Sequence, residues 1–573
     1  MLKAIQLENF KCYENSGLIP LAPLTLIFGP NSGGKSTILQ ALYLLMQTRQ
    51  QGEASIPLLF QAENGFVDLG SYQEAIYAHK SKNRNISIRL DVPLDSPKWI
   101  SSSYREWLKS IPATTMGMRF EFTCDEDTAE VSICGFEVYV NEGDQPLVRF
   151  ENIEREAGDE KRVNTFLCKQ ISREPKYWQY LFENREKGEG SGKHFEEEPN
   201  TADEHEYADS PETAPHSVED FDISEVLQEL EGMRPEERLE KFRRLKARRL
   251  RDVEDIQDYI EAFSDTWSEI LNQFSGSEYF LPGITCTARK QLERLSESQL
   301  EALNLAADYY DSHGERGRSD LFPTSYSTDL TERPALIPVS ILYGAAYQIA
   351  DVVERLRALG SIHPKPQRVY TFSGTNPTNV GRSGEKVPEL LLRDSTLVEK
   401  VNNALEKLHL GYELKIEPLP KQYSSMFEIR VRNLSRTEAG SVSLSDVGFG
   451  VGQLLPVVVQ SIVEKGTTIL VEQPETHIHP AIQAELGAFF VENVKQNGNQ
   501  FIIETHSEHL VLRIQRLIRK RTISPDQVKI LCVDPNSGKA GPTVKEMRMD
   551  EKGRFIDNWP GGFFPERLSE FMD

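Results

Sequence analysis

Apolar and polar positions alternate through AIQLEN (residues 4–9), and LTLIFG (24–29) is an apolar run. Both predict strands. STILQALYLLMQ (36–47) carries an apolar face at helical spacing. Four further alternating segments, ISIRLDV (86–92), MRFEFTC (118–124), VSICGFEVYV (131–140) and LVRFENI (147–153), predict a small antiparallel layer. LIPVSILYGAAYQIADVVERLRALG (336–360) reads as a long helix or a helix pair, and YELKIEPL and FEIRVRN as strands. From GQLLPVVVQSIVEKG onward the pattern is strictly alternating. TTILVEQ, QFIIETH and VKILCVD are strands, separated by the helices AIQAELGAFFVENVKQ and SEHLVLRIQRLIRKR. That order predicts an α/β unit with a parallel sheet. No repeat of solenoid period is present.

Composition changes this picture in the middle of the chain. Between residues 196 and 222 there are eleven acidic residues and no Lys or Arg, as expected of a solvated, flexible segment. The expected organisation is an N-terminal lobe over 1–154, a mainly helical insertion over 155–365 with its acidic stretch near 186–222, and a C-terminal lobe over 366–573. Within the insertion, KFRRLKARRLR (241–251) has seven basic residues in eleven. It reads either as a nucleic-acid or partner-binding arm or as a solvated helix paired with the preceding acids. Arg513, Arg516 and Lys520 share one helix face and carry the same two readings. Net charge is −23 over 573 residues, so nucleic-acid binding needs a local patch or a partner. No apolar run reaches about 18 residues, so no membrane span is expected. Six scattered cysteines without a CxxC pair argue against a disulfide or zinc framework and for a reducing, cytoplasmic setting.

The sharpest chemistry is GPNSGGKST (29–37), which fits G-x-x-x-x-G-K-[ST] between an apolar strand and a helix. Gly29, Asn31, Gly33, Gly34, Lys35, Ser36 and Thr37 form the candidate nucleotide cradle. The glycines let backbone N–H groups curl around phosphates, Lys35 reaches the β and γ oxygens, and the Ser36 hydroxyl ligates magnesium. Downstream, ILVEQPETHIHP (469–480) ends a strand in Glu472, a candidate acid for the metal. LSDVGFGVGQLLP (444–456) sets Ser445, Gly448 and Gly450 before an apolar helix, where a helix N-terminus can meet a phosphate or a serine can cap the helix. ETHSEH (504–509) places His506 at another strand end. His477, His479, His506 and His509 could also be imagined as a zinc cluster, without accompanying cysteines.

Taken in order, GPNSGGKST, LSDVGFGVG, ILVEQPETHIHP and FIIETHSEH resemble the ABC-type ATPases of the chromosome-maintenance (SMC), RecF-like and OLD-like group, over residues 1–95 and 365–573. The tail FIDNWPGGFF resembles a bacterial stand-alone subgroup, many of whose relatives are phage-defence ATPases such as the PtuA ATPases of Septu systems and related retrons. The resemblance implies an α/β fold: an ABC-type P-loop ATPase head with an antiparallel β layer and a large, mainly helical insertion. It also implies a homodimer or higher oligomer that sandwiches two ATP molecules. Lys35 and Ser36 with Glu472 would hold Mg-ATP, and Ser445 and Gly448 would touch the partner's γ-phosphate. His506 would be the switch histidine, Gln61 or Gln73 the glutamine that senses magnesium, and Lys11 would lie near the phosphates.

This sequence departs from the group's pattern twice. The serine–glycine motif is one residue longer than usual, and the usual Asp-Glu pair is Glu472-Gln473. An amide cannot accept a proton as a carboxylate does, and that step typically contributes about 10²–10⁴-fold. Either Glu475 substitutes, or hydrolysis is slow and the closed dimer persists. OLD-like proteins often carry a nuclease after the ATPase. Here about 64 residues follow ETHSEH, with Asp534 and no D-x-D pair, so no nuclease is expected in this chain. The expectation is therefore an ATPase controlling a separate effector, a nuclease or toxin, in antiviral defence. The rivals are a RecF-like clamp on DNA and an ATP-binding scaffold with negligible hydrolysis.

Overall fold

The computed structural model describes residues 1–51, 57–63, 65–79, 84–94, 111–125, 128–141, 143, 145–157, 161–171, 337–420, 425–436, 438, 440–535 and 541–559. The acidic stretch near 186–222, the basic run 241–251 and the GGFF tail lie outside these residues.

The chain opens with β1 (Ala4–Phe10), β2 (Tyr13–Asn15), β3 (Ile19–Pro20) and β4 (Leu24–Phe28), followed by α1 (Lys35–Gln51) and the short α2 (Tyr72–Ala75). Five antiparallel strands come next: β5 (Ile86–Pro93), β6 (Thr115–Cys124), β7 (Val131–Val140), β8 (Val148–Ala157) and β9 (Lys161–Ile171). After the undescribed residues come α3 (Ile337–Glu354), β10 (Leu356–Leu359), β11 (Tyr370–Thr371), α4 (Val387–Arg393), α5 (Ser395–Lys407), β12 (Tyr412–Pro418), β13 (Met426–Asn433) and β14 (Ser441–Ser443). The closing run is α6 (Phe449–Val463), β15 (Thr468–Glu472), α7 (Pro480–Asn497), β16 (Gln500–Glu504), α8 (Glu508–Arg519), β17 (Val528–Asp534) and β18 (Thr543–Glu546).

These strands form three sheets. The antiparallel layer has eight strands in the order β2-β1-β5-β6-β7-β8-β9, with β3 also on β1. The second sheet runs β10-β15-β16-β4-β17-β18, parallel throughout except for the antiparallel pair β17–β18. A four-stranded sheet joins β11, β13, β12 and β14. α1 lies between the first two sheets. Ile38, Leu39, Leu42 and Leu45 are buried in one core with Leu7, Ile88 and Phe120 of the antiparallel layer and with Leu470, Ile502 and Leu531 of the parallel sheet. The opposite face of the parallel sheet is covered by helices. Leu510, Val511, Ile514 and Ile518 make the buried stripe of α8, the i, i+4 spacing of an amphipathic helix. α5 buries Leu397, Val401, Ala404 and Leu405 and is capped by Asp394, which accepts from the Thr396 and Leu397 N–H groups.

The pattern over 336–360 predicts helix to its end, yet LRAL is β10, paired in parallel with β15 from Leu356 opposite Thr468 to Leu359 opposite Val471. Four apolar-rich residues at a sheet edge serve as a strand as well as a helical turn, and tertiary pairing decides between them. β8 and β9 carry the antiparallel layer to Ile171, and Ala345, Ile349 and Val353 of α3 are buried in the same core as α1.

Candidate functional site

β4 ends at Phe28 and the glycine-rich loop turns from it into α1. Two glycines are demanded by the space around them. Gly29 has φ +148, and a Cβ there would stand 2.6 Å from the Val533 carbonyl oxygen. Gly34 has φ +104, and a Cβ there would meet Cys12 Sγ at 2.9 Å and the Tyr13 hydroxyl at 3.2 Å. Within the loop Gly33 N–H donates to the Pro30 carbonyl (3.1 Å), and Lys35 Nζ donates to the same oxygen (2.8 Å). The loop wraps a cavity of about 730 Å³, with Asn31, Gly33, Gly34, Lys35, Ser36 and Thr37 on its wall. These residues surround the N-terminus of α1, where the first helical N–H groups have no intrahelical partner and favour an anion. Lys11 and Cys12 supply part of the opposite wall with residues 76–79. There Lys11, Ala78 and His79 hold left-handed φ values of 50°, 55° and 54°, and Lys11 N–H donates to the Ala75 carbonyl at 2.6 Å.

The parallel sheet brings two acid-ended strands to this loop. Glu472 of β15 stands opposite Glu504 of β16, and Glu504 stands opposite Ile27 of β4. β16 is therefore interposed between Glu472 and the loop-bearing strand. Glu504 is buried and lines the cavity, with Oε1 3.9 Å from Lys35 Nζ. Burial lowers the Lys35 pKa, opposed by the charges of Glu504 and Glu475. Gln473 also lines the cavity. Its backbone is left-handed (φ 42), and its N–H donates to the Glu504 carbonyl at 2.7 Å.

Glu475 is engaged otherwise. One carboxylate oxygen accepts from Thr505 Oγ1 (2.8 Å) and the other from His506 N–H (2.6 Å). Both oxygens thus tie the turn after β15 to the turn after β16, and Glu475 is not on the cavity wall. Burial raises its pKa, and these hydrogen bonds oppose the rise. His506 follows the same turn outside the cavity wall. Partial burial and the nearby Lys35 charge lower its pKa.

Of the other expected residues, Gly29 sits behind the loop rather than on the wall. Gln61 and Gln73 are both exposed and neither lines the cavity; Gln40 of α1 does. Ser445 lies in the turn Leu444–Asp446, its hydroxyl and N–H both donating to Ser443 Oγ. Gly448 is the residue before α6 and is exposed. Neither lines this chain's cavity. Gly450 lets the start of α6 press against the turn after β15, since a Cβ there would stand 2.6 Å from the His477 carbonyl oxygen. His479 caps α7 by accepting from Ala481 N–H at 3.2 Å. Arg513 is held by both Glu485 oxygens at 2.5 and 2.6 Å, so it is a paired surface cation. Sequence reasoning missed Glu504 although it stood inside the quoted motif. ILVE and FIIE are two apolar runs that end in the same acid, and that repetition was the available signal.

Ser36 is a hard oxygen donor on the cavity wall and suits a magnesium ion; Glu472 is also an oxygen donor but does not line that wall. Burial raises the Glu472 pKa, opposed first by its hydrogen bond with the buried Tyr43 hydroxyl.

Several known proteins are similar to this chain. A stretch of 46 residues is 54% identical to the OLD nuclease of Thermus scotoductus, and it covers 8% of this chain and 8% of that protein. The Smc head domain of Pyrococcus furiosus, solved with an extended coiled coil and bound to the C-terminal domain of ScpA, is 11% identical over 96% of each chain, with a TM-score of 0.36. The SMC head domain from Thermotoga maritima is 10% identical over 96% of this chain and 99% of that one, with a TM-score of 0.34. The family match is of another order. Residues 1–511 fit the model described as an AAA ATPase domain, most of the 573-residue sequence, and the chain belongs to that ATPase family.

Proposed function

We propose that this chain binds Mg-ATP in the cavity at the start of α1 and closes over it as a homodimer. Ser445 and Gly448 of one copy would meet the γ-phosphate held by the other. Slow hydrolysis would then set how long the closed dimer controls a separate effector, a nuclease or toxin, in antiphage defence. The observation that carries the ATP reading is the cradle itself, with buried Lys35 among the backbone donors of residues 31–37. The dimer reading is supported by the location of the serine–glycine motif. It is absent from the chain's own cavity wall, and Gly448 faces open space among the described residues, with nothing within 4 Å of a Cβ built on it. Magnesium, when bound, would neutralise charge on the β- and γ-phosphates, with Ser36 and Glu472 as its protein ligands. The effector and the defence setting rest on the sequence resemblance.

Light scattering after gel filtration tests the dimer directly. With ATP and magnesium the purified chain should double its mass, and Gly448→Asp or Lys35→Ala should abolish the doubling. A chain that stays monomeric with ATP bound would sink the sandwich. DNA binding that falls steeply with salt would replace the effector reading with a clamp on DNA.

A further inference from the structure

We propose that Glu504 is the catalytic base of this ATPase, replacing from the neighbouring strand the carboxylate that Gln473 lacks. The inference rests on the ATP-site reading above and goes beyond it. Gln473 reaches the cavity wall, but it brings an amide. Glu475 brings a carboxylate, but both oxygens are held by Thr505 Oγ1 and His506 N–H. Glu504 combines the two requirements, a carboxylate and a place on the cavity wall.

Strand order explains why it can. β16 runs between β15 and β4, so a residue at its C-terminal end stands one inter-strand spacing, about 4.8 Å, nearer the phosphate loop than any residue of β15. Glu504 occupies that end, in register with Glu472 on one side and Ile27 on the other. Its Oε1 lies 3.9 Å from Lys35 Nζ, too long for a hydrogen bond. The carboxylate is thus placed beside the phosphate-binding ammonium without being locked to it.

The step balances without any further reactant. A water O–H bond breaks as the water oxygen bonds to the γ-phosphorus, and the proton passes to a Glu504 carboxylate oxygen. The bond from the γ-phosphorus to the bridging oxygen breaks, and ADP leaves with that electron pair. Glu504 then releases the proton to phosphate or solvent.

The test compares wild type, Glu504→Gln, Glu504→Asp, Glu475→Gln and the double variant Gln473→Glu with Glu504→Gln, all as full chains. Three readouts are taken: affinity for a fluorescent ATP analogue, the kcat for phosphate release, and the identity of nucleotide retained after gel filtration. Glu504→Gln should bind ATP within about 3-fold of wild type, lose about 10²-fold or more in kcat, and retain unhydrolysed ATP. Glu504→Asp should fold, bind, and turn over at a reduced kcat even if the glutamine variant is unstable. The double variant should regain part of the lost rate, and Glu475→Gln should keep the larger share of it. The proposal is overturned if Glu504→Gln and Glu504→Asp both turn over within about 3-fold of wild type. It is equally overturned if their loss lies in ATP affinity alone, or if wild type binds ATP and never hydrolyses it. Failure of wild type to bind ATP would instead remove the underlying site reading.

Discussion

The turns after β15 and β16 are neighbours, built from similar residues, and they divide the work unevenly. Residues 472–475 carry two acids around a glutamine and a proline, and residues 504–507 carry an acid, a threonine, a histidine and a serine. By motif alone the first turn holds the chemistry and the second a single histidine. In space the relation shifts. Glu475 leaves its own turn to bind Thr505 and His506 in the other, while Glu504 faces Lys35. The lesson is that a strand-end acid acquires its role from the strand beside it as much as from its own motif. A parallel sheet exposes all its C-terminal ends along one edge, so adjacent ends can exchange duties at no change in fold.

Variants on either side can break this comparison. The largest effect is expected from Lys35→Ala, which removes the cation that faces the cavity and Glu504. Losing charge-assisted hydrogen bonds of about 1.5–3 kcal/mol corresponds to roughly 10- to 100-fold weaker ATP binding, readable by titration of a fluorescent analogue. An unchanged affinity would mean that the cavity is not a phosphate site.

Next is the tie between the two turns. Glu475→Ala deletes both acceptors and leaves the Thr505 hydroxyl and His506 N–H without them. It should destabilise the fold by on the order of 2 kcal/mol in urea unfolding. A variant as stable as wild type would show that the turns hold together without Glu475.

A smaller effect separates the tie from its charge. The Glu475 pKa is raised above 4.5, chiefly by burial. The folded state therefore binds more protons than the unfolded state between 4.5 and the raised value, and stability falls as pH rises through that window. Glu475→Gln should flatten that part of the stability–pH curve, and an unaltered slope would assign it to other buried acids such as Glu8 and Glu472, whose pKa values are also raised. The smallest expected shift is at His506. Burial lowers its pKa first and Lys35 second, so Lys35→Ala should raise it, seen in the titration of its imidazole resonances. No change would mean that the two side chains are electrostatically independent.

Much of the site was legible early because phosphate binding uses the backbone. A loop that must curl its N–H groups inward needs glycine at fixed spacing, and Gly29 and Gly34 prove to be positions where a Cβ would collide. Lys11 was reachable only through resemblance, since nothing local to ENFKCY says which loop it will face. Four residues such as LRAL hold too little periodicity to tell a helix end from an edge strand, and pairing with β15 decides for the strand. The motif points at His506, and only the packing of β16 beside β4 brings Glu504 to the cavity wall.

The sequence by itself determined the α/β alternation, the glycine-rich cradle and the acid-ended strands, because periodicity and close backbone approach are local demands written into residue type. Only the tertiary structure decided which acid faces Lys35, which acid ties two turns together, and that Ser445 and Gly448 stand away from their own chain's cavity. Those assignments depend on strand order and register, and β16 is placed between β15 (Thr468–Glu472), its near neighbour in sequence, and β4 (Leu24–Phe28) at the other end of the chain.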